Sequence, residues 1–135
     1  MTEHDSDTNQ KYQGIVKDIW EALNSGNLSV LKPILAASYT LNGKAFTYEE
    51  TVAWLKSLEA EKDLYFDRQD LFGEGQKVCV RWFLTLTDKK TGDKIRGMGC
   101  NVITFDANNQ AISNWQAGAS TADEFTPVGD ESSES

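Results

Sequence analysis

Arg96-Gly-Met-Gly-Cys-Asn-Val-Ile-Thr-Phe105, Asp106-Ala-Asn-Asn-Gln110 and Ala111-Ile-Ser-Asn-Trp-Gln-Ala-Gly118 read together as a β-hairpin. Two runs of strand-forming residues flank five turn formers, a break short enough for antiparallel neighbours. Successive strand residues point to opposite faces, so Asn101, Ile103 and Phe105 share one face of the first strand. Ile112, Asn114 and Gln116 share one face of the second. Amides on a face that otherwise reads as buried need hydrogen-bond partners, and a bound ligand is one such partner.

Two further long strands precede this hairpin, Asp63–Phe72 and Lys77–Thr87, and its own first strand runs Lys94–Phe105; the breaks between the three are Gly73-Glu-Gly75 and Asp88-Lys-Lys-Thr-Gly-Asp93. In the middle one Val78, Val80, Trp82, Leu84 and Leu86 share a face. Cys79, Arg81, Phe83 and Thr85 share the other, and that mixture of a large apolar group with a charge suits a dimer surface. Helices come before the sheet. Tyr12, Ile15, Val16, Ile19, Trp20 and Leu23 form one apolar stripe, with Gly26 placed to stop it. Asn27 starts a second, short helix bearing Leu28, Leu31, Ile34 and Leu35, kinked or broken near Lys32 by Pro33. A short strand through Tyr39 and Leu41 meets the hairpin signal Asn42-Gly43 and returns through Ala45-Phe46. Thr47-Tyr-Glu-Glu50 is a capping box, opening a third helix with Val52, Trp54, Leu55 and Leu58. The expected fold is therefore α+β: three N-terminal helices packed on a curved antiparallel sheet of four long strands plus a short hairpin.

Composition narrows the function. The chain has 135 residues and is 39% hydrophobic, with four Trp, six Phe and four Tyr, enough for a core without disulfides or metal. Its net charge of −8 sits in the ends: residues 1–10 and 120–135 carry eight acids and no Lys or Arg, leaving 13 acids against 13 bases between Lys11 and Ala119. Both acidic ends are expected to be disordered tails around one domain at 11–119. No basic stripe is present to meet phosphates, so no nucleic-acid partner is expected. No apolar run approaches the roughly 18–20 residues of a membrane span, so no membrane partner is expected. The acidic N-terminus is unlike a signal peptide, and cytoplasmic residence with Cys79 and Cys100 as reduced thiols is the expectation.

The only histidine is His4. A histidine general base, a Ser-His-Asp triad and a histidine-bound metal are thereby disfavoured. Gly73-Glu-Gly75 and Gly97-Met-Gly99 are isolated pairs, not phosphate cradles. No cofactor or metal is expected, and acid–base work falls to Asp, Glu, Tyr or Lys.

The order helix, short broken helix, hairpin, helix, four long strands resembles the nuclear-transport-factor-2-like superfamily. Within it the chain is most similar to SnoaL-like polyketide cyclases and ketosteroid isomerases. The resemblance spans residues 11–119. It is carried by Ala22-Leu-Asn-Ser-Gly-Asn-Leu28, Phe72-Gly-Glu-Gly-Gln-Lys-Val-Cys-Val-Arg-Trp82 and Phe105-Asp-Ala-Asn-Asn-Gln-Ala-Ile-Ser-Asn-Trp115. It implies a cone-shaped α+β barrel whose cavity takes a hydrophobic small molecule, and a homodimer through the outer sheet face. Carried over residue by residue, the cyclases' acid/base aspartate falls near Ala119. The isomerases' base falls at Leu41-Asn42-Gly43, their helix phenol near Ile19, and their second oxyanion donor at Asn101. The family's usual carboxylates are thus missing, and the catalytic residues are unknown.

What remains is a polar set. Asn101, Asn114 and Gln116 either line the cavity as ligand-orienting groups or bond each other and buried backbone, unless strand register turns some outward. Trp54, Trp82 and Tyr39, with Trp20 and Trp115, are cavity walls or plain core. Asp67, Arg68 and Asp70 are either a solvated edge or, if Phe66 faces the helices, a source of the missing carboxylate. Two functions follow: a cofactor-independent cyclase, isomerase or hydrolase acting on a hydrophobic carbonyl- or epoxide-bearing compound, or a non-catalytic ligand-binding or dimerisation module. A protein-interaction domain using the outer sheet face is a third.

Overall fold

The structure, a computed structural model, describes residues 3–118 and 125–128, with side chains from residue 8. Helix α1 (Glu3–Ser25) lays Tyr12, Val16, Ile19 and Trp20 into the core, and Gly26 ends it with φ of 79°. A helix begins at Glu3 where a disordered tail is expected from the sequence. The physical reason is visible at Asn9, which is 3% exposed and donates through Nδ2 to the backbone oxygens of Gly75 and Lys77, at 3.0 and 2.8 Å. One turn later Tyr12 stacks on Phe105 at 4.9 Å and donates its hydroxyl to the Asp106 oxygen.

The expected second helix is a single 3-10 turn (Leu28–Leu31), so the described residues hold two α-helices rather than three. Pro33 has no N–H to return to Ser29, and the chain closes i to i−3 bonds instead, Lys32 to Ser29 and Ile34 to Leu31. Asn27 makes no side-chain cap to the turn. Strand β1 (Leu35–Leu41) then turns through Asn42 and Gly43, both at positive φ, into β2 (Lys44–Ala45). Helix α2 (Tyr48–Glu59) starts at the expected capping box: Thr47 Oγ1 accepts from Glu50 N, and Thr47 N donates to Glu50 Oε1, each at 3.0 Å.

The remaining strands are β3 (Lys62–Glu74), β4 (Lys77–Asp88), β5 (Lys94–Phe105), β6 (Ala111–Gly118) and β7 (Thr126–Pro127). The sheet runs β2-β1-β6-β5-β4-β3 with β7 beside β5, and its ends do not meet, so it is an open curved sheet and not a closed barrel. Nor is it wholly antiparallel: β1 and β6 are parallel, with α2 and four strands intervening between them in the chain. Residues 125–128 correct the expectation of a wholly disordered C-terminal tail, since Ile95 pairs with Pro127 and Arg96 with Thr126. The rest of the acidic C-terminal stretch, 119–124 and 129–135, lies outside the described residues. No described helix is long and apolar enough to cross a membrane.

The core lies between α1, α2 and the inner sheet face. Alternation in β4 is as read, with Val78, Val80, Trp82, Leu84 and Leu86 buried. Trp20, Phe66 and Trp82 form an edge-to-face ladder, at 6.4 and 5.5 Å between centroids, that joins α1 to the sheet. Asn24 fastens the same joint, donating to the Phe66 oxygen at 2.8 Å and accepting from its N–H at 2.7 Å. In β3 the register shifts between Arg68 and Asp70. Asp70 therefore leaves the face of Phe66 and pairs with Arg81 on the outer side, Nε to Oδ2 at 2.6 Å. Both partners are substantially exposed, which rules Asp70 out as a carboxylate of the inner face.

Candidate functional site

A cavity of about 650 Å³ opens between the two helices and the inner sheet face. Its walls are mostly apolar: Ile19, Trp20 and Leu23 from α1, Leu55 and Leu58 from α2, and Phe66, Leu84 and Ile103 from the sheet. Of the eight residues weighed for it from the sequence, seven line it: Trp20 on α1, Tyr39 on β1, Trp54 on α2, Trp82 on β4, Asn101 on β5, Asn114 and Gln116 on β6. Register explains the grouping. Asn101 pairs with Gln116, and Ile103 with Asn114, so the amides project inward as neighbours from adjacent strands.

These polar groups bond each other as well as lining the cavity. Trp82 Nε1 donates to Asn101 Oδ1 at 2.5 Å. Asn101 Nδ2 donates to Asn114 Oδ1 at 2.8 Å and to Gln116 Oε1 at 3.2 Å. Asn114 Nδ2 donates to the Tyr39 hydroxyl at 3.0 Å. Asn101, 3% exposed, thus has its oxygen and both N–H groups occupied, as a buried amide requires. The hairpin tip joins in, since Gln116 N donates to Asn42 Oδ1 at 2.7 Å.

Burial pushes the Tyr39 phenol above its ordinary value of 10.0, and the Asn114 hydrogen bond opposes that shift. The hydroxyl stays protonated at neutral pH. Neither Asp67 nor Asp70, the carboxylates weighed from the sequence, lines the cavity, and Glu50 is held in the α2 cap. Glu61 is the one carboxylate among the described lining residues, and it is exposed. Trp115 faces away from the cavity, 56% exposed and packed over Gly43. No described cluster of three or more His, Cys, Asp or Glu side chains could hold a metal.

Two features of the lining, one residue and one atom, go beyond the sequence reading. Phe125 reaches the wall from the C-terminal stretch. Its signal was present, because Phe125-Thr-Pro-Val128 interrupts an otherwise Ser/Asp/Glu-rich end. Trp20 Nε1 is buried without any hydrogen-bond partner, a donor left over on a lining residue. That could not be read from spacing, which gives a face and not an atom.

The sequence profile of the SnoaL-like domain matches residues 16–115. Among solved structures, a proposed polyketide cyclase from Acidithiobacillus ferrooxidans is 26% identical, covering 80% of this chain and 87% of its own, with a TM-score of 0.69. A SnoaL-like polyketide cyclase from Agrobacterium tumefaciens is 18% identical over 84% of this chain and 94% of its own, with a TM-score of 0.71. A nuclear-transport-factor-2-like protein from Burkholderia thailandensis is 19% identical over 80% and 90%, with a TM-score of 0.68. None of the curated proteins matches the sequence.

Proposed function

The chain belongs to the SnoaL-like domain family, and from that premise we propose that its cavity binds a hydrophobic small molecule bearing a carbonyl or epoxide oxygen. The proposed activity is that of a cofactor-independent cyclase or isomerase. The observation that carries this reading is the amide and phenol network set into an otherwise apolar wall. Apolar lining supplies affinity at about 25 cal/mol per Å² removed from water. The donors orient the ligand and polarise its oxygen. Polarisation makes the neighbouring C–H more acidic and stabilises the negative charge that grows on oxygen as that proton leaves.

A second reading is favoured by one observation: the single carboxylate among the described lining residues is exposed, and Tyr39 keeps its proton. A wall that donates without accepting a proton suits a binding module. Deuterium exchange separates the two readings. A hydrophobic ketone with exchangeable α-hydrogens is incubated with the protein in D2O and followed by proton NMR. Saturable binding with exchange faster than in buffer supports the enzyme, and saturable binding without acceleration supports the module. No saturable binding of any hydrophobic ketone, with nothing co-purifying in native mass spectrometry, refutes both.

The outer sheet face is proposed as a homodimer surface in a cytoplasmic protein. Phe72, Cys79, Val102 and Trp115 lie in one cross-strand row, and the two end residues are 60% and 56% exposed. Phe83 and Met98 extend the apolar area, with Arg81 and Arg96 over the Phe83 ring at 5.7 and 5.6 Å. Exposed aromatics, Met and Arg together match the composition of interface cores.

A further inference from the structure

The amide chain has a direction, and one side chain sets it. An indole N–H can only donate, so the Asn101 atom that faces Trp82 Nε1 is its oxygen. Both Asn101 N–H groups then point onward, to Asn114 Oδ1 and Gln116 Oε1. Each of those amides has turned its oxygen onto Asn101 and its nitrogen away. Asn114 Nδ2 donates to the Tyr39 hydroxyl, which is thereby an acceptor within the protein and keeps its own proton to give. Reversing any single link would set two donors, or two oxygens, face to face. The direction is therefore held by the whole chain.

The consequence falls on the cavity. Tyr39, Asn114 and Gln116 all line it. Each has a proton left to offer: the phenol O–H, the second N–H of Asn114 and the side-chain NH2 of Gln116. Trp20 adds a buried indole N–H with no partner, from a lining residue on another element. We propose that the Trp82 indole polarises the amide chain so that the cavity presents donors to its ligand, and that the group held there is an oxygen with lone pairs and no proton: a ketone, lactone or quinone carbonyl, or the enolate formed from one. This rests on the cavity being the ligand site. Trp82 is a positioning residue, acting through Asn101 and Asn114 on the donors at the wall. A ligand hydroxyl in the same place would bury a proton with no amide oxygen turned to receive it.

Three compounds of one shape test this: 9-fluorenone, 9-fluorenol and fluorene, which carry C=O, CHOH and CH2 at the same position. Fluorenone should bind about tenfold tighter than fluorenol, the discrimination expected of one misplaced buried hydrogen-bonding group. With ¹³C at the carbonyl, isotope-edited infrared difference spectra should put the bound C=O stretch below its position in hexane. Tyr39→Phe removes a terminal donor and should return the band toward hexane. Trp82→Phe removes the anchor and should do the same while fluorene still binds. Asn101→Asp is the isosteric arm should Trp82→Phe fail to fold. An ionised Asp only accepts, so it draws the Asn114 N–H inward and turns the Asn114 oxygen onto the Tyr39 proton. The band should move toward hexane and the preference over fluorenol should be lost. Saturable fluorenone binding with the band at its hexane position overturns the proposal and leaves the ligand site standing. So does an unchanged band in Asn101→Asp, or equal binding of fluorenol in the wild type. If neither fluorenone nor fluorene binds, the ligand-site reading itself falls.

Discussion

Gly99→Ala is the smallest change that reaches the amide network without touching a polar atom. Gly99 lies opposite Trp82 on the adjacent strand, and the indole rests against its backbone. An added Cβ would come within 2.5 Å of Trp82 Cζ2, 2.6 Å of Cη2 and 2.9 Å of the Ala117 oxygen. The ring contacts are roughly 1 Å inside carbon–carbon contact. Strand β5 is held by β4 on one side and β6 on the other, so the ring must yield more than the backbone. The ring has little room, being 2% exposed and edge-on to Phe66. Overpacking of this kind costs about 1–3 kcal/mol. A ring displaced by that distance also parts Nε1 from Asn101 Oδ1, and a buried oxygen left unsatisfied costs about 1–3 kcal/mol more. The stiffer unfolded chain returns about 0.4–1 kcal/mol. The net expectation is a loss of about 1–5.5 kcal/mol, read from urea unfolding followed by circular dichroism. Gly14→Ala is the matched control: nothing lies within 4 Å of its Cβ, and in mid-helix the same change should stabilise by about 0.5–1 kcal/mol. A loss below about 1 kcal/mol in Gly99→Ala, beside a normal Gly14→Ala, would refute the claim that this glycine seats the indole.

Two further outcomes concern the outer face and the β4–β5 turn. The double variant Phe72→Glu/Trp115→Glu puts charge at both ends of the exposed row and should convert a dimer to a monomer by size-exclusion light scattering. A monomeric wild type at the same concentration would remove the dimer proposal. Asp88 accepts from the backbone N–H groups of Thr91 and Lys90, and these bonds hold its carboxyl below the ordinary 3.8. Since the folded value lies below the unfolded one, this contribution is complete above the unfolded value and drains as pH falls through the folded one. Asp88→Asn keeps an acceptor oxygen and drops the charge. The urea midpoints of wild type and variant should therefore converge as pH falls below about 4, and midpoints that stay parallel there would contradict the assignment.

Much of this fold was legible because its signals are local. The capping box at Thr47, the Asn42-Gly43 turn and the alternation through β4 each depend on a few neighbouring residues, and each formed as read. The misreadings and open points share a different cause. The start of α1 depends on Asn9 finding backbone oxygens 66 and 68 residues away, and no window around Asn9 contains them. Asp70 stood open between a solvated edge and the inner face; a bulge near Gln69 breaks the alternation and decides for the edge, and nothing in Asp67-Arg-Gln-Asp70 marks it. Pro33 did signal a break; what went unread is that one 3-10 turn suffices to carry the chain from α1 to β1.

The site shows the same division more sharply. Period-two spacing brings Asn101, Asn114 and Gln116 to one face and so locates a polar patch. It leaves open which end of each amide faces the cavity, and that is the chemically decisive fact. The answer comes from Trp82, 19 residues from Asn101 in sequence, through an indole N–H that donates and cannot accept. An amide at position 101 passes that constraint on, since it takes the indole proton on oxygen and gives two protons from nitrogen. An ionised carboxylate there would take protons from both sides and reverse every link beyond it. Because residue 101 is an amide, Asn114 turns its N–H onto the Tyr39 oxygen, and the phenol has a proton to give to whatever the cavity holds.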